Sequence, residues 1–230
     1  MSVLQDAYPS RVSSEPKLLE RQDPVVYSEQ QPDGQYLTAE QKESYREKGF
    51  LFLENLFSDT EVQEMREELF RMATDSEQKK RPEFITEPES NEVRSIFLIQ
   101  RLSEVFDRIS RDPRIVQPVR HLLDDDVYIH QARANMKPGF VGKPFYWHSD
   151  FETWHTEDGM PRMRAISVSI TLTPNNAYNG ALMLVPGSHK SFVSCIGETP
   201  DDNYKSSLKE QKTGVPDKET MTHMVDELGL

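Results

Sequence analysis

At Val127 the spacing of apolar residues changes from helical to alternating, and this switch restricts the second half of the chain to strands with two unlike faces. Val127, Ile129, Gln131, Arg133, Asn135 and Lys137 share one face, and Tyr128, His130, Ala132, Ala134 and Met136 share the other. The first face therefore ends in an amide, a guanidinium, an amide and an ammonium in a row. Such a face is either the solvent side of a sheet or the wall of a polar pocket inside a barrel. Ala165 to Thr173 repeats the alternation, with Ile166, Val168, Ile170 and Leu172 set against Ala165, Ser167, Ser169 and Thr171. This small, hydroxylated face is compatible with solvent or with room for a ligand in a closed sheet. Turn residues from Pro174 to Gly180, ending on Asn179-Gly180, lead into Ala181-Leu182-Met183-Leu184-Val185, which Pro186-Gly187 closes. The pattern implies antiparallel strands of the jelly-roll or cupin kind.

Before Val127 the chain reads mainly as helices. Residues 1–37 carry Pro9, Pro16, Pro24 and Pro32 among polar residues, without a sustained apolar period, and read as a loosely docked N-terminal arm that carries no chemistry. Thr38-Ala39-Glu40-Gln41 has capping-box spacing and opens a helix that Gly49 closes; Phe50-Leu51-Phe52-Leu53 then reads as a short buried strand. Ser58-Asp59-Thr60-Glu61 opens a second helix, on which Val62, Met65, Leu69 and Met72 form an apolar stripe for core packing. Thr74 to Asn91, with Pro82 and Pro88, reads as a surface loop, either a solvated linker or a lid. Ser95 to Ile99 reads as a strand. Leu102, Val105, Phe106 and Ile109 mark a helix that ends before Pro113, and Ile115, Val116, Val119, Leu122 and Leu123 mark the next. After Ser191 come a polar loop from Glu198 to Val215 and a helical stripe of Met221, Met224, Val225 and Leu228.

A chain of 230 residues is long enough for one domain with a sizeable core, placed here at residues 38–230. Lys and Arg number 27 against 39 Asp and Glu, a formal charge of -12, which disfavours nucleic acid and anionic membrane as partners. Met1 to Pro9 lacks the apolar centre of a secretion signal, and no run approaches the roughly 18 apolar residues of a membrane span. The expectation is a soluble, cytoplasmic protein. Cys195 is the only cysteine, so an intramolecular disulfide and a cysteine-based metal cluster are both excluded.

Ligand-type residues meet at a chemically useful spacing in His148-Ser149-Asp150. On an extended segment, residues two apart point to the same side, so the imidazole and the carboxylate converge on one ion. That is two thirds of the 2-His-1-carboxylate triad of non-haem Fe(II) oxygenases. By itself the motif is more often a solvated or hydrogen-bonded His and Asp with no metal.

The flanks make the motif specific. The stretch from Phe145 to Arg164, including Tyr146-Trp147-His148-Ser149-Asp150-Phe151-Glu152-Thr153-Trp154-His155, resembles the consensus of ectoine hydroxylases in the phytanoyl-CoA dioxygenase-like superfamily. Gly180 to His189 resembles the strand and turn of the same superfamily, and the similarity runs from about Thr38 to Leu230. The resemblance implies a mainly β protein with flanking helices: a double-stranded β-helix, or jelly-roll barrel. It implies Fe(II), 2-oxoglutarate and O2 as cofactor and co-substrates, and hydroxylation of the compatible solute ectoine to 5-hydroxyectoine, with succinate and CO2 released. His148 and Asp150 are then the catalytic metal ligands, and Gln131 and Trp154 bind substrate. Lys137, Arg133, Asn135 and Ser169 lie on the 2-oxoglutarate side. An indole face attracts a delocalised cation by roughly 0.5–2 kcal/mol when water is excluded, which suits Trp154 against the amidinium of ectoine. Lys137 and Arg133 supply the fixed cations that a dianion needs. Asp150 also speaks against the halogenases of the superfamily, which lack the carboxylate.

The family pattern also calls for a later second His and an Arg for the far carboxylate of 2-oxoglutarate, and neither is found. His121 falls in a helix, His130 points away from Gln131, His155 follows the motif in a loop, His189 sits in a turn, and His223 lies in a helical pattern with no Arg after it. The expectation is a C-terminally truncated barrel, incomplete in its last strands, poorly stable and inactive on its own. Two alternatives stay open: a related 2-oxoglutarate oxygenase acting on another small zwitterion, and a non-catalytic solute-binding barrel. The oligomeric state is also open, with a homodimer as one option.

Overall fold

The computed structural model describes residues 6–87, 90–137, 146–176, 178–197 and 214–227. Phe145, Pro88, Leu228 and most of the expected polar loop, 198–213, lie outside the described residues.

The helices begin and end where their cap residues put them. Helix α1 spans Ala39–Lys48; the Thr38 hydroxyl accepts from the Gln41 amide, and the Gln41 side chain accepts from the Thr38 amide. Gly49 ends it at φ 83, a left-handed conformation that an L side chain resists, and its N–H donates to the Tyr45 carbonyl. Helix α2, Asp59–Thr74, repeats the reciprocal cap with Ser58 and Glu61. Its stripe is buried as expected, with Met65 and Met72 at 0% exposure. Burial of such a side chain contributes roughly 1.5–3 kcal/mol. Helices α3 (Ile99–Leu102), α4 (Glu104–Ser110) and α5 (Pro113–Leu123) follow. Asp112 caps α5 and Pro113 occupies its first turn, where a missing N–H costs nothing.

Among the described residues, two small antiparallel sheets hold the chain together. β2 (Phe84–Thr86), β3 (Val93–Phe97) and β4 (Arg133–Asn135) form one, in that order, with Ser95 opposite Asn135 and Phe97 opposite Arg133. Met72, Phe84, Val93, Ile96 and Ile99 make the core between this sheet and the helices. The other sheet pairs β1 (Lys17–Glu20) with β5 (Ser191–Ser194), with Leu18 opposite Val193. Helix α6 (Asp150–Asp158) packs beside it through Phe151, and a last helix α7 (Lys218–Thr222) runs into a π turn at His223–Glu227.

Several expectations are corrected. The arm is not loosely docked: β1 is a sheet strand, and Tyr8 is fully buried against Phe151 and Phe192. Its short apolar pieces lack a period because each packs on a distant element. Within Thr74 to Asn91 lies β2, which β3 recruits by backbone hydrogen bonding that composition does not encode. Phe50 to Leu53 is not a buried strand; it has no ladder partner, and Phe52 is exposed. Among the described residues, only β4 is laddered over Val127–Lys137, and Ala165–Thr173 and Ala181–Val185 join no ladder. Alternation specifies faces, whereas a ladder needs a second strand at hydrogen-bonding distance. Among the described residues no helix is long and apolar enough to cross a membrane.

Candidate metal and substrate site

His148 and Asp150 converge, though not from a strand. Ser149 is the N-cap of α6, and Asp150 is the first residue of its first turn. The helix N-terminus favours a carboxylate there. The Ser149 amide donates to the Gly214 carbonyl at 2.8 Å, which fixes the entry to the helix. Gly159 ends α6 in the left-handed region, and its N–H donates to the Trp154 carbonyl.

The pair is oriented from behind. His148 Nδ1 lies 2.6 Å from the Tyr146 carbonyl; donation to that oxygen sets the tautomer and turns Nε2 toward Asp150. Nε2 stands 3.3 Å from Asp150 Oδ1, and the Ser167 hydroxyl donates to Oδ2 at 3.0 Å. The hydrogen bond to Asp150 outweighs burial and raises the His148 imidazole above its ordinary range. Burial pushes the Asp150 carboxyl up, but the hydrogen bond and charge of His148, the Ser167 hydroxyl and the nearby Arg133 cation together hold it below the usual range.

This donor set fits a divalent metal. Two ligands at about 2.1 Å on adjacent sites of one ion have donor atoms roughly 3 Å apart, close to the spacing of Nε2 and Oδ1. An imidazole bonded to a backbone carbonyl through its other nitrogen, and a carboxylate with a hydroxyl on its second oxygen, are the supports such ligands need. Among the described residues no third His, Cys, Asp or Glu joins them.

A cavity of about 300 Å³ opens beside the pair, walled by Trp147, Trp154, Met163, Met183 and Met224 among others. Trp154 faces it from α6, its indole edge-on to the His130 ring at 5.4 Å, and His130 is itself bonded to Asp158. The structure thus brings His148, Asp150 and Trp154 together, with Arg133 close enough to act on the pair electrostatically. Arg133 is exposed on β4, its guanidinium 5.9 Å from the Phe97 ring. The other expected residues lie off this cavity. Gln131 is exposed on the irregular approach to β4. Asn135 accepts from the Ser95 hydroxyl at 2.9 Å, and Lys137 donates to the Gly180 carbonyl at 3.1 Å. Ser169 is exposed.

Ser167 and Glu152 carry roles that the sequence did not single out. Ser167 shares the small face of Ser169, so alternation placed it on the right side, but spacing could not say which hydroxyl reaches Asp150. Glu152 gave no signal beyond its place in the motif, yet it is fully buried. His155 is not in a loop; it lies on α6, stacked on Phe151.

The sequence profile of the family described as phytanoyl-CoA dioxygenase (PhyH) matches residues 45–226. An ectoine dioxygenase of Bordetella bronchiseptica is 54% identical over 233 residues, covering 100% of this chain and 74% of that protein. One of Sphingopyxis alaskensis is 47% identical over 227 residues, covering 99% and 74%. Among solved structures, EctD from S. alaskensis with 2-oxoglutarate and 5-hydroxyectoine superposes with a TM-score of 0.85 at 42% identity, covering 97% of this chain and 72% of that one. The same enzyme with bound Fe gives 0.81 at 41% identity, covering 97% and 73%.

Proposed function

We infer the activity from one premise: this chain belongs to the phytanoyl-CoA dioxygenase family. Its function is the Fe(II)- and 2-oxoglutarate-dependent hydroxylation of ectoine to 5-hydroxyectoine, with O2 consumed and succinate and CO2 released. The observation that carries this reading is the supported His148–Asp150 pair beside the Trp154 cavity, in a chain 54% identical to an ectoine dioxygenase.

His148 and Asp150 would hold the iron, which when bound supplies the oxidative chemistry of the reaction with 2-oxoglutarate and dioxygen. The chain's own residues do the positioning. The Tyr146 carbonyl accepts from His148 Nδ1 and so directs Nε2 toward Asp150, where a metal ion would take the place of the Nε2 proton, and Ser167 holds Asp150 from turning away. Trp154, fixed by His130, offers an indole face to the amidinium of ectoine, and the thioethers of Met163 and Met224 displace water from it.

The jelly-roll arrangement belongs to the same proposal: the alternating segments 127–137, 165–173 and 181–185 are its walls, behind an arm at 1–37. The superposition on EctD over 97% of the chain supports it. On that reading Gln131 contacts ectoine, while Arg133, Asn135, Lys137 and Ser169 serve 2-oxoglutarate; the support is that Gln131, Arg133, Asn135 and Lys137 lie on or beside β4, with Lys137 bonded to the turn at Gly180.

The test uses the protein in the cell that encodes it. Changing the His148 codon to Ala should abolish 5-hydroxyectoine and leave ectoine to accumulate. Unchanged 5-hydroxyectoine in a strain with no other copy of the enzyme would overturn the assignment.

A further inference from the structure

Glu152 is the second carboxylate in the first turn of α6, and it points away from the metal pair. Residues two apart on a helix are rotated by roughly 200°, so Asp150 faces the cavity while Glu152 faces the arm. There its Oε1 accepts from the Ser10 hydroxyl at 2.8 Å and from Arg11 Nε at 3.2 Å. The side chain of Glu152 is 0% exposed and that of Arg11 is 11% exposed. Ser10 and Arg11 are anchored in turn to the end of β5: the Cys195 amide donates to Ser10 Oγ at 3.0 Å, and the Arg11 amide donates to the Cys195 carbonyl at 2.8 Å.

This link is costly as pure scaffolding. Arg11 sits at φ 57, a left-handed conformation that non-glycine residues rarely adopt, and Glu152 Oε2 is buried without a hydrogen-bond partner among the described residues. Replacing a buried ion pair by apolar residues of similar volume is often neutral or stabilising. What the ion pair supplies and an apolar contact would not is a fixed rotation for the first turn of α6.

We propose that Glu152, clamped by Ser10 and Arg11, is a positioning residue for the metal pair, setting the angle at which Asp150 meets His148. The arm is thereby a working part of the site. The inference rests on reading His148 and Asp150 as ligands, and it is tested first without metal.

The full chain carrying 15N-labelled histidine rings is compared at one pH as parent, Glu152→Gln, Arg11→Met, Arg11→Lys and Ser10→Ala. Tyr8→Phe serves as the control, since it loosens the arm through the Tyr8–Asp23 hydrogen bond without touching Glu152. Glu152→Gln and Arg11→Met should displace or broaden the His148 ring signals while leaving His130, at the other end of α6, in place. Arg11→Lys should restore them, and Ser10→Ala, the mildest change, should give an intermediate shift. Tyr8→Phe should lower the melting temperature with His148 unmoved. Unchanged His148 signals in Glu152→Gln, or equal displacement in Tyr8→Phe, would overturn the proposal. Should Glu152→Gln not fold, unmoved signals in both Ser10→Ala and Arg11→Met would overturn it instead. Zn(II) is then titrated into parent and variants, with half-saturation expected about tenfold higher in Ser10→Ala and Arg11→Met. A parent whose His148 ring ignores Zn(II) sinks the ligand reading alone, because the metal-free comparison stands apart from it.

Discussion

The ring of His189 lies directly against Gly49, filling the space that a β-carbon on that glycine would need. His189 Nε2 is 3.0 Å from the Arg46 carbonyl at the end of α1, and the Gly187 amide donates to the Lys48 carbonyl, so the turn before β5 is seated on the C-cap of α1. His189 also lines the cavity beside the metal pair. A helix cap and a site wall are therefore one contact.

Gly49→Ala should accordingly destabilise the chain by roughly 2 kcal/mol or more, from left-handed strain plus the overlap with His189. Urea unfolding followed by circular dichroism would measure it. Adding His189→Ala removes the overlap, so the double variant should lose less than the sum of the two single losses; simple additivity would contradict the contact.

Removing the hydroxyl of Ser167 leaves both ligands in place but frees Asp150 Oδ2. Ser167→Ala should weaken Co(II) or Fe(II) binding about tenfold, and His148→Ala should weaken it further. Ser169→Ala should leave metal affinity unchanged, because Ser167 is the serine bonded to Asp150. Co(II) absorption titrations would separate the three.

Trp154→Leu keeps an apolar wall but loses the cation-binding face. Ectoine affinity should fall by up to about 30-fold, the equivalent of roughly 2 kcal/mol, while Trp154→Phe should retain part of it. Calorimetric titration of ectoine would test this, and equal affinity in parent and Trp154→Leu would remove Trp154 from the substrate site.

Stability should fall at both ends of the pH scale for identifiable reasons. Hydrogen bonds from Arg114 hold the Glu61 carboxyl at about 2 and keep Asp112 below its ordinary range. Since the folded values are lowered, the stabilisation is complete above the unfolded values of about 4.5 and 3.8 and is lost as pH falls toward 2. Burial, then the hydrogen bond to Asp23, raises the Tyr8 phenol to about 12. Its contribution is complete below about 10 and is lost as pH rises through 12. In urea midpoints measured against pH, Arg114→Met should flatten the acid limb and Tyr8→Phe the alkaline one.

The local code of this chain is legible in its sequence. Thr38, Ser58 and Gly49 mark helix boundaries because capping chemistry acts within a few residues, and the α2 stripe ends up buried because helical period and core face are one property. His148 and Asp150 are recognisable because their ligand chemistry lies two residues apart, although the backbone that joins them is a helix start rather than a strand. Tertiary structure alone decided what meets them. Tyr8 in the core, Ser10 and Arg11 on Glu152, Ser167 rather than Ser169 on Asp150, and His189 on Gly49 are pairings of residues far apart in the chain. Alternation and composition state which side of an element faces inward. Which partner stands opposite depends on how the elements pack, and no short-range signal in the sequence carries that.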